Sequence, residues 1–369
     1  MPPVAVRILH PEPDPTSGPL SRWVADARVA LAERHRRGFL AAGAEDVAIV
    51  AGPPDDRPFG GRLRDLLRAD RPVGRMAGLV VLGSGSIPLA TAADRRAFVD
   101  AAAGDGRVAL ANNRYSADVV AISRTDTMPE IPDLPGDNAL PRWLEEVGGY
   151  RVDDLRRRWR LAFDIDGPLD LVLLSALPDP GGPFDTTLVG TRLAAVRAIA
   201  ADRRGELLVT GRTSAGTLAW LERHAAARVR AWVEERGLRA ASRLAQSDDR
   251  TDRAARQPRA PTSILGALLD RDGPGALGEH LARFADAAIV DTRVLLAHRL
   301  GADAAAWPVA EDRFASDLLL AGRIADPWLR DLTASAADAP IPILLGGHTL
   351  VGPGVRLVVE GPWRGTRWT

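Results

Sequence analysis

The feature that most constrains this chain is an alternation in its first half. Short apolar runs that read as buried strands are separated by longer segments with helical periodicity. Val4 to Leu9 reads as a strand. Leu20 to Ala41 reads as a helix with Trp23, Val24, Ala27, Val29, Ala30 and Leu31 on or near one face, ended by Gly43. Asp46 to Ala51 is a second strand, stopped by Gly52-Pro53-Pro54, and Arg62 to Leu67 is a short helix. Gly78 to Gly83 is a buried strand that empties into Ser84-Gly85-Ser86-Ile87-Pro88, and Thr91 to Ala103 is a helix with Thr91 as its N-cap. Arg107 to Ala111 and Asp118 to Ile122 are further strands flanking the polar segment Asn112-Asn113-Arg114-Tyr115-Ser116. This alternation predicts an α/β fold of three layers, helices on both sides of a mainly parallel sheet.

With 369 residues the chain is long enough for two domains, each with its own core. The boundary is placed after the helix Thr191 to Ala200, giving domains at 1–200 and 201–369. The second domain opens with a βαβ unit: Glu206 to Thr210, the helix Ser214 to Ala226, then Arg228 to Val233. The segment near 246–261 holds Ser, Asp, Arg, Gln and Pro with little that could enter a core, so a loop is expected there. Helices follow at Ile264 to Leu269 and Leu277 to Ala287, a strand at Ala288 to Val290, and closing strands at Ile341 to Leu345 and Val355 to Val359.

Composition removes whole classes of chemistry. There is no Cys, which excludes disulfides, iron–sulfur clusters, thiolate zinc sites and cysteine nucleophiles. There is no Lys either, so all 48 basic side chains are Arg. Arginine keeps its proton and forms no Schiff base, which excludes pyridoxal-phosphate lysines, Schiff-base aldolases and the P-loop lysine. Any phosphate must be held by Arg, backbone N–H or metal. The 48 basic residues balance 48 acidic ones, so no overall field favours nucleic acid or anionic lipid. The N-terminus lacks a basic region followed by a long apolar one, and no stretch reaches 18 uninterrupted apolar residues. A cytoplasmic, soluble protein without nucleic-acid or membrane partners is expected.

Three segments carry a resemblance. The first is Val80-Val81-Leu82-Gly83-Ser84-Gly85-Ser86-Ile87-Pro88-Leu89 before a helix. The second is Asn112-Asn113-Arg114-Tyr115-Ser116-Ala117-Asp118-Val119-Val120. The third is Phe163-Asp164-Ile165-Asp166-Gly167-Pro168-Leu169-Asp170-Leu171. In this order they resemble the nucleotidyltransferase superfamily that includes molybdenum-cofactor guanylyltransferase and 2-phospholactate guanylyltransferase, over roughly residues 1–180. The resemblance implies a nucleotidyltransferase-like first domain, with Asp164 and Asp166 as catalytic and metal-holding carboxylates. Ser84, Gly85, Ser86, Asn112 and Asn113 would orient base and sugar. It also implies Mg²⁺ as cofactor and a nucleotide with a small phosphorylated acceptor as substrates. The chain departs from the family at Ser86, which stands where members carry a metal-binding acid, and at Gly167, which replaces a threonine. The opening loop has Pro11, Pro13, Pro15 and Pro19 in place of a glycine-rich phosphate grip, with Arg22 as the cation near it. These departures leave a second reading, a sensor or assembly protein that keeps the fold and has lost the reaction.

In the second half, Gly211, Arg212, Thr213 and Ser214 join a strand to a helix and offer N–H groups and hydroxyls at a positive helix end, a candidate phosphate site. Glu234 follows the next strand near the spacing at which dinucleotide sites place an acid on ribose, so Rossmann-type binding by this domain is a further alternative. Gly346-Gly347-His348-Thr349-Leu350-Val351-Gly352-Pro353-Gly354 suits either close ligand approach or a wide turn. Asp137-Asn138 is expected to cap the helix Ala139 to Glu146. The run Arg156-Arg157-Arg158-Trp159-Arg160 is either a solvated face or a steering patch. The six histidines, at 10, 35, 224, 280, 298 and 348, show no local metal spacing.

Overall fold

The computed structural model describes residues 3–53, 57–70, 78–127, 130–134, 136–174, 184–235 and 261–363. They form two compact units. The first comprises Pro3–Ser17 and Arg22–Ile165, and the second Gly18–Ser21 and Asp166–Trp363. The division thus falls between Ile165 and Asp166, not at 200. The reason is that the helix preceding Ala201 packs along the strands of the second sheet.

In the first unit the elements run β1 (Val4–Pro11), α1 (Pro19–Ala41), β2 (Asp46–Gly52), α2 (Phe59–Asp70), β3 (Gly78–Gly83), α3 (Ala92–Ala102), β4 (Val108–Ala111), β5 (Val119–Ser123), α4 (Leu140–Glu146) and β6 (Arg151–Asp154). They build a six-stranded sheet of order β2-β1-β3-β5-β4-β6. Alternation along each strand sorts the core into two layers. Val4, Val6, Ile8, Val80 and Leu82 meet Ala32 and Phe39 of α1 and Phe98 and Val99 of α3 on one face. Ala5, Leu79, Val81, Val120 and Ile122 meet Phe59 and Leu63 of α2 and Leu140, Trp143 and Leu144 of α4 on the other. The expected three-layer α/β arrangement is present. One strand departs from it: β5 runs antiparallel to both β3 and β4. Only a short turn joins β4 to β5, too short for the crossover that parallel pairing needs.

The second unit continues with α5 (Pro168–Leu174), α6 (Thr187–Ala200), β7 (Glu206–Gly211), α7 (Ala215–His224), β8 (Arg228–Val233), α8 (Ile264–Asp272), α9 (Leu277–Ala282), β9 (Ala287–Asp291), α10 (Thr292–Leu300), α11 (Ala310–Asp317), α12 (Pro327–Asp338), β10 (Ile343–Gly346), α13 (His348–Val351) and α14 (Gly354–Glu360). Its four strands, in the order β10-β9-β7-β8, are all parallel. The helix α6 packs against β7, β9 and β10.

Several expectations need correction. Val355 to Val359 is not a closing strand but lies in α14. Val355, Leu357 and Val358 are buried while Arg356 and Val359 are less so, a helical spacing that a five-residue apolar run conceals. The helix expected to reach Ala287 stops at Ala282, and Ala287 already belongs to β9. Asp137 and Asn138 sit inside a single 3₁₀ turn, Asp137–Ala139, and α4 starts without a side-chain cap. The short strand β6 was not anticipated, because only Val152 in it is buried. The loop expected near 246–261 lies outside the described residues except for Pro261. Among the described residues, no helix is long and apolar enough to cross a membrane.

Candidate functional site

In the first sheet the chain passes from β1 to β2 on one side and returns to β3 on the other. The C-terminal ends of β1 and β3 therefore flank a topological switch point, where open α/β sheets bind their ligands. Two buried polar residues meet there: His10 at the end of β1 places Nδ1 3.0 Å from the Ser84 hydroxyl after β3. The Ser84 N–H donates to the Leu9 carbonyl at 2.9 Å, so the loop leaves the sheet still tied to β1. Burial, and then the charge of Arg28, push the His10 imidazole below its ordinary pKa, with Glu12 opposing. His10 is consequently a neutral hydrogen-bonding group at pH 7.

From Ser84 to Ala90 the loop is held from several directions. Ser86 N donates to Gly83 O at 3.1 Å, Ile165 N to Gly85 O at 3.0 Å, and Ala90 N to Ile87 O at 3.0 Å. The Asp164 carboxylate accepts the Ile87 N–H at 3.3 Å. Ile87 is fully buried with φ +46°, a left-handed conformation that a β-branched residue adopts only under constraint. Gly85 is the other special position. Its N–H makes no hydrogen bond among the described residues, and a Cβ there would stand 3.0 Å from Ile165 O and 3.1 Å from Arg28 Nε. Arg28 Nε donates to that same Ile165 carbonyl at 2.8 Å, which fixes the guanidinium beside Gly85. An N–H without a partner, a glycine open to close approach and an adjacent guanidinium form an arrangement suited to an anionic oxygen.

The other expected residues are placed as follows. Asn112 spends its side chain on the β4–β5 turn and on the Leu161 carbonyl beyond β6. Nδ2 donates to Asp118 Oδ2 at 2.8 Å and Leu161 O at 2.9 Å, while Oδ1 accepts from Asp118 N at 3.0 Å and Val119 N at 3.3 Å. Asn113 closes an Asx turn by accepting Tyr115 N at 3.0 Å. Arg22 donates to the Ser17 carbonyl and is exposed. From the basic run, Arg158 and Arg160 converge on Asp94, whose side chain is fully buried, at 2.8 and 2.7 Å. Burial works to raise the Asp94 pKa, but hydrogen bonds from Thr91, Arg160 and Arg158 outweigh it and hold the carboxylate below its usual range. The same Asp94 completes a capping box with Thr91, so the expected N-cap of α3 is present.

Asp164 belongs to the first unit and Asp166 to the second. Asp164 spends a carboxylate oxygen on the Ile87 loop. The Asp166 carboxylate lies 3.3 Å from His348 Nδ1 and 3.5 Å from Thr349 Oγ1. Among the described residues, no three His, Asp or Glu side chains are grouped to hold a metal ion.

The second sheet has its own switch point between β7 and β9. Gly211 has φ +122°, and a Cβ there would fall 2.2 Å from Asp291 Cβ, so glycine is required. Arg212 grips Asp291 through two bonds, Nε to Oδ2 at 2.6 Å and Nη2 to Oδ1 at 3.0 Å. Arg293 does the same to Asp317 at 2.5 and 2.7 Å. Thr213 donates to Val351 O, and Ser214 caps α7 by accepting Thr217 N at 3.1 Å. Glu234 accepts Ser263 Oγ at 2.7 Å and Ile264 N at 2.6 Å, and so serves the start of α8. Asp170 is buried, accepts the Asp166 and Gly167 N–H groups at 2.8 Å each, and bonds to no cation among the described residues. Burial, and then the nearby Asp166 charge, push its pKa well above the carboxylate range.

His10, Arg28, His35 and Arg95 were missed by sequence reasoning. Only His10 carried a signal, its position at the end of the first strand; the others enter through contacts with distant helix faces. No family model matches the chain, and no curated protein matches it.

Proposed function

We propose that the first unit binds a nucleotide or similar phosphorylated small molecule in the crevice outside β1 and β3. The observation that carries this reading is the convergence, at one switch point, of the unengaged Gly85 N–H, the Arg28 guanidinium and the buried His10–Ser84 pair. A phosphate oxygen would take the Gly85 N–H and approach Arg28, while His10 and Ser84 offer neutral polar contacts. Loss of the family's metal-binding acid at Ser86, and the engagement of Asp164 by the loop, favour binding without transfer over nucleotidyl transfer. Magnesium would then arrive, if at all, with a triphosphate, for which one or two carboxylates suffice. Calorimetric titration with a panel of nucleoside triphosphates, with and without Mg²⁺, tests the reading. Saturable binding competed by pyrophosphate supports it, and absence of heat for every member of the panel removes it.

A second reading places a dinucleotide on the second unit, favoured by its all-parallel sheet and by the Gly211 turn at a switch point. Glu234, the acid that would hold the ribose, is engaged at the start of α8. Fluorescence titration with a reduced nicotinamide dinucleotide separates this reading from the first.

A further inference from the structure

The loop at the proposed site is braced from the helices on one face of the first sheet. His35 of α1 is fully buried, and its Nε2 lies 2.8 Å from the Ser86 carbonyl. A carbonyl only accepts, so the imidazole proton is assigned to Nε2 and the Nδ1 lone pair faces the other way. On that side stands Arg95 of α3, whose Nη2 is 3.5 Å from Nδ1. Arg95 is itself only 6% exposed, and its Nε has no hydrogen-bond partner. Its side chain crosses α1 at Gly38, where a Cβ would stand 2.8 Å from Arg95 Cδ and Nε; a side chain at 38 would close this path. From the same helix Arg34 Nη1 donates to the Pro88 carbonyl at 3.2 Å.

Burying a guanidinium without fully satisfying it is costly, so a stabilising role for Arg95 is a poor explanation of its place. Its geometry does explain the state of His35. A cation against Nδ1 forbids a proton there, and this leaves Nε2–H as the only neutral form that fits. Burial, with the Arg95 charge behind it, pushes His35 down to about 3, so the ring stays neutral through the ordinary pH range.

We propose that His35 and Arg95 are positioning residues for the site at the strand ends. Arg95 fixes the tautomer of His35, and His35 clamps the Ser86 carbonyl, which keeps Ile87 left-handed and leaves the Gly85 N–H unengaged. This inference rests on the nucleotide reading for its functional meaning, but the clamp itself can be measured in the ligand-free protein.

Long-range ¹H–¹⁵N correlation on the uniformly labelled full chain reads the tautomer directly. The expected result is a neutral His35 with its proton on Nε2, and a shift toward mixed tautomers in Arg95→Met. Hydrogen exchange read by mass spectrometry over Ser84–Ala90 then compares His35→Leu with His35→Gln, whose amide can still donate to the Ser86 carbonyl. Losing a buried donor should speed exchange of these amides by about tenfold or more in His35→Leu, with a similar loss of ATP or GTP affinity, and His35→Gln should restore most of both. A proton on Nδ1 in the wild type, unchanged exchange in His35→Leu, or no rescue by His35→Gln overturns the proposal. If His35→Leu does not fold, the wild-type tautomer and the response to Arg95→Met decide it. If the wild type binds no nucleotide, the nucleotide reading fails, while tautomer and exchange still decide whether the clamp exists.

Discussion

Arg212 and Asp291 face each other across the ends of β7 and β9 in a two-bond ion pair, with the carboxylate side chain fully buried and the guanidinium 19% exposed. Asp291 also accepts the Arg293 N–H at 3.1 Å and so caps α10. Removing only the acid leaves a partly buried cation and an uncapped helix. Asp291→Ala is therefore expected to cost about 3–5 kcal/mol, measured by urea unfolding, and Arg212→Met a comparable amount, because it keeps the cap but strands a fully buried carboxylate.

Gly85→Ala tests the close approach at the proposed site. The added Cβ meets Ile165 O at 3.0 Å and Arg28 Nε at 3.1 Å, both tighter than ordinary contact. Arg28 must give way, so affinity for a nucleoside triphosphate should fall by about tenfold or more, against a small shift in thermal unfolding. Equal affinity in the variant would separate Gly85 from ligand binding.

Asn112→Ala should act on folding instead. Its side chain supplies three bonds to the β4–β5 turn, including acceptors for two backbone N–H groups, and a fourth to the Leu161 carbonyl. Stranding them should cost about 2–3 kcal/mol, whereas Asn113→Ala, which loses one exposed Asx contact, should cost below about 1 kcal/mol. Denaturant midpoints distinguish the two.

The buried His35 sets an acid limb. Its folded-state pKa of about 3 lies below the unfolded value of 6.5, because burial and the Arg95 and Arg34 charges disfavour the cation while the Ser86 carbonyl only partly offsets them. The unfolded chain then binds more protons between these values, so stability is fully present above pH 6.5 and is lost as pH falls toward 3. The contribution approaches a limit of about 1.4 kcal/mol per pH unit in that window. His35→Gln should flatten this limb in unfolding free energies measured across pH. Asp170 has the opposite sign, since its raised pKa costs stability as pH rises through it, and Asp170→Asn should remove that cost.

Much of this fold was legible where pattern and punctuation agree. Gly78 to Gly83 is a strand with the predicted bounds, because an apolar run closed by turn residues has few alternatives, and Arg228 to Val233 is another with the predicted bounds. The antiparallel direction of β5 was hidden, because a buried strand reads alike in both directions and only the connection length fixes its sense. Val355 to Val359 was misread for want of enough residues to reveal its period. At the proposed site, Ser84, Gly85 and Ser86 stood out as a polar turn after a strand. Arg28, His35 and Arg95 did not, because what distinguishes them is a set of partners 51 to 137 residues away in sequence.

The most direct test is a calorimetric titration of ATP and GTP, with and without Mg²⁺, into the wild-type chain and into Gly85→Ala and Arg28→Leu. Saturable binding to the wild type, weakened in both variants while their circular dichroism stays native, is the result expected of a phosphate held beside Gly85 and Arg28. Heat that is absent in the wild type, or equal in all three proteins, would contradict it.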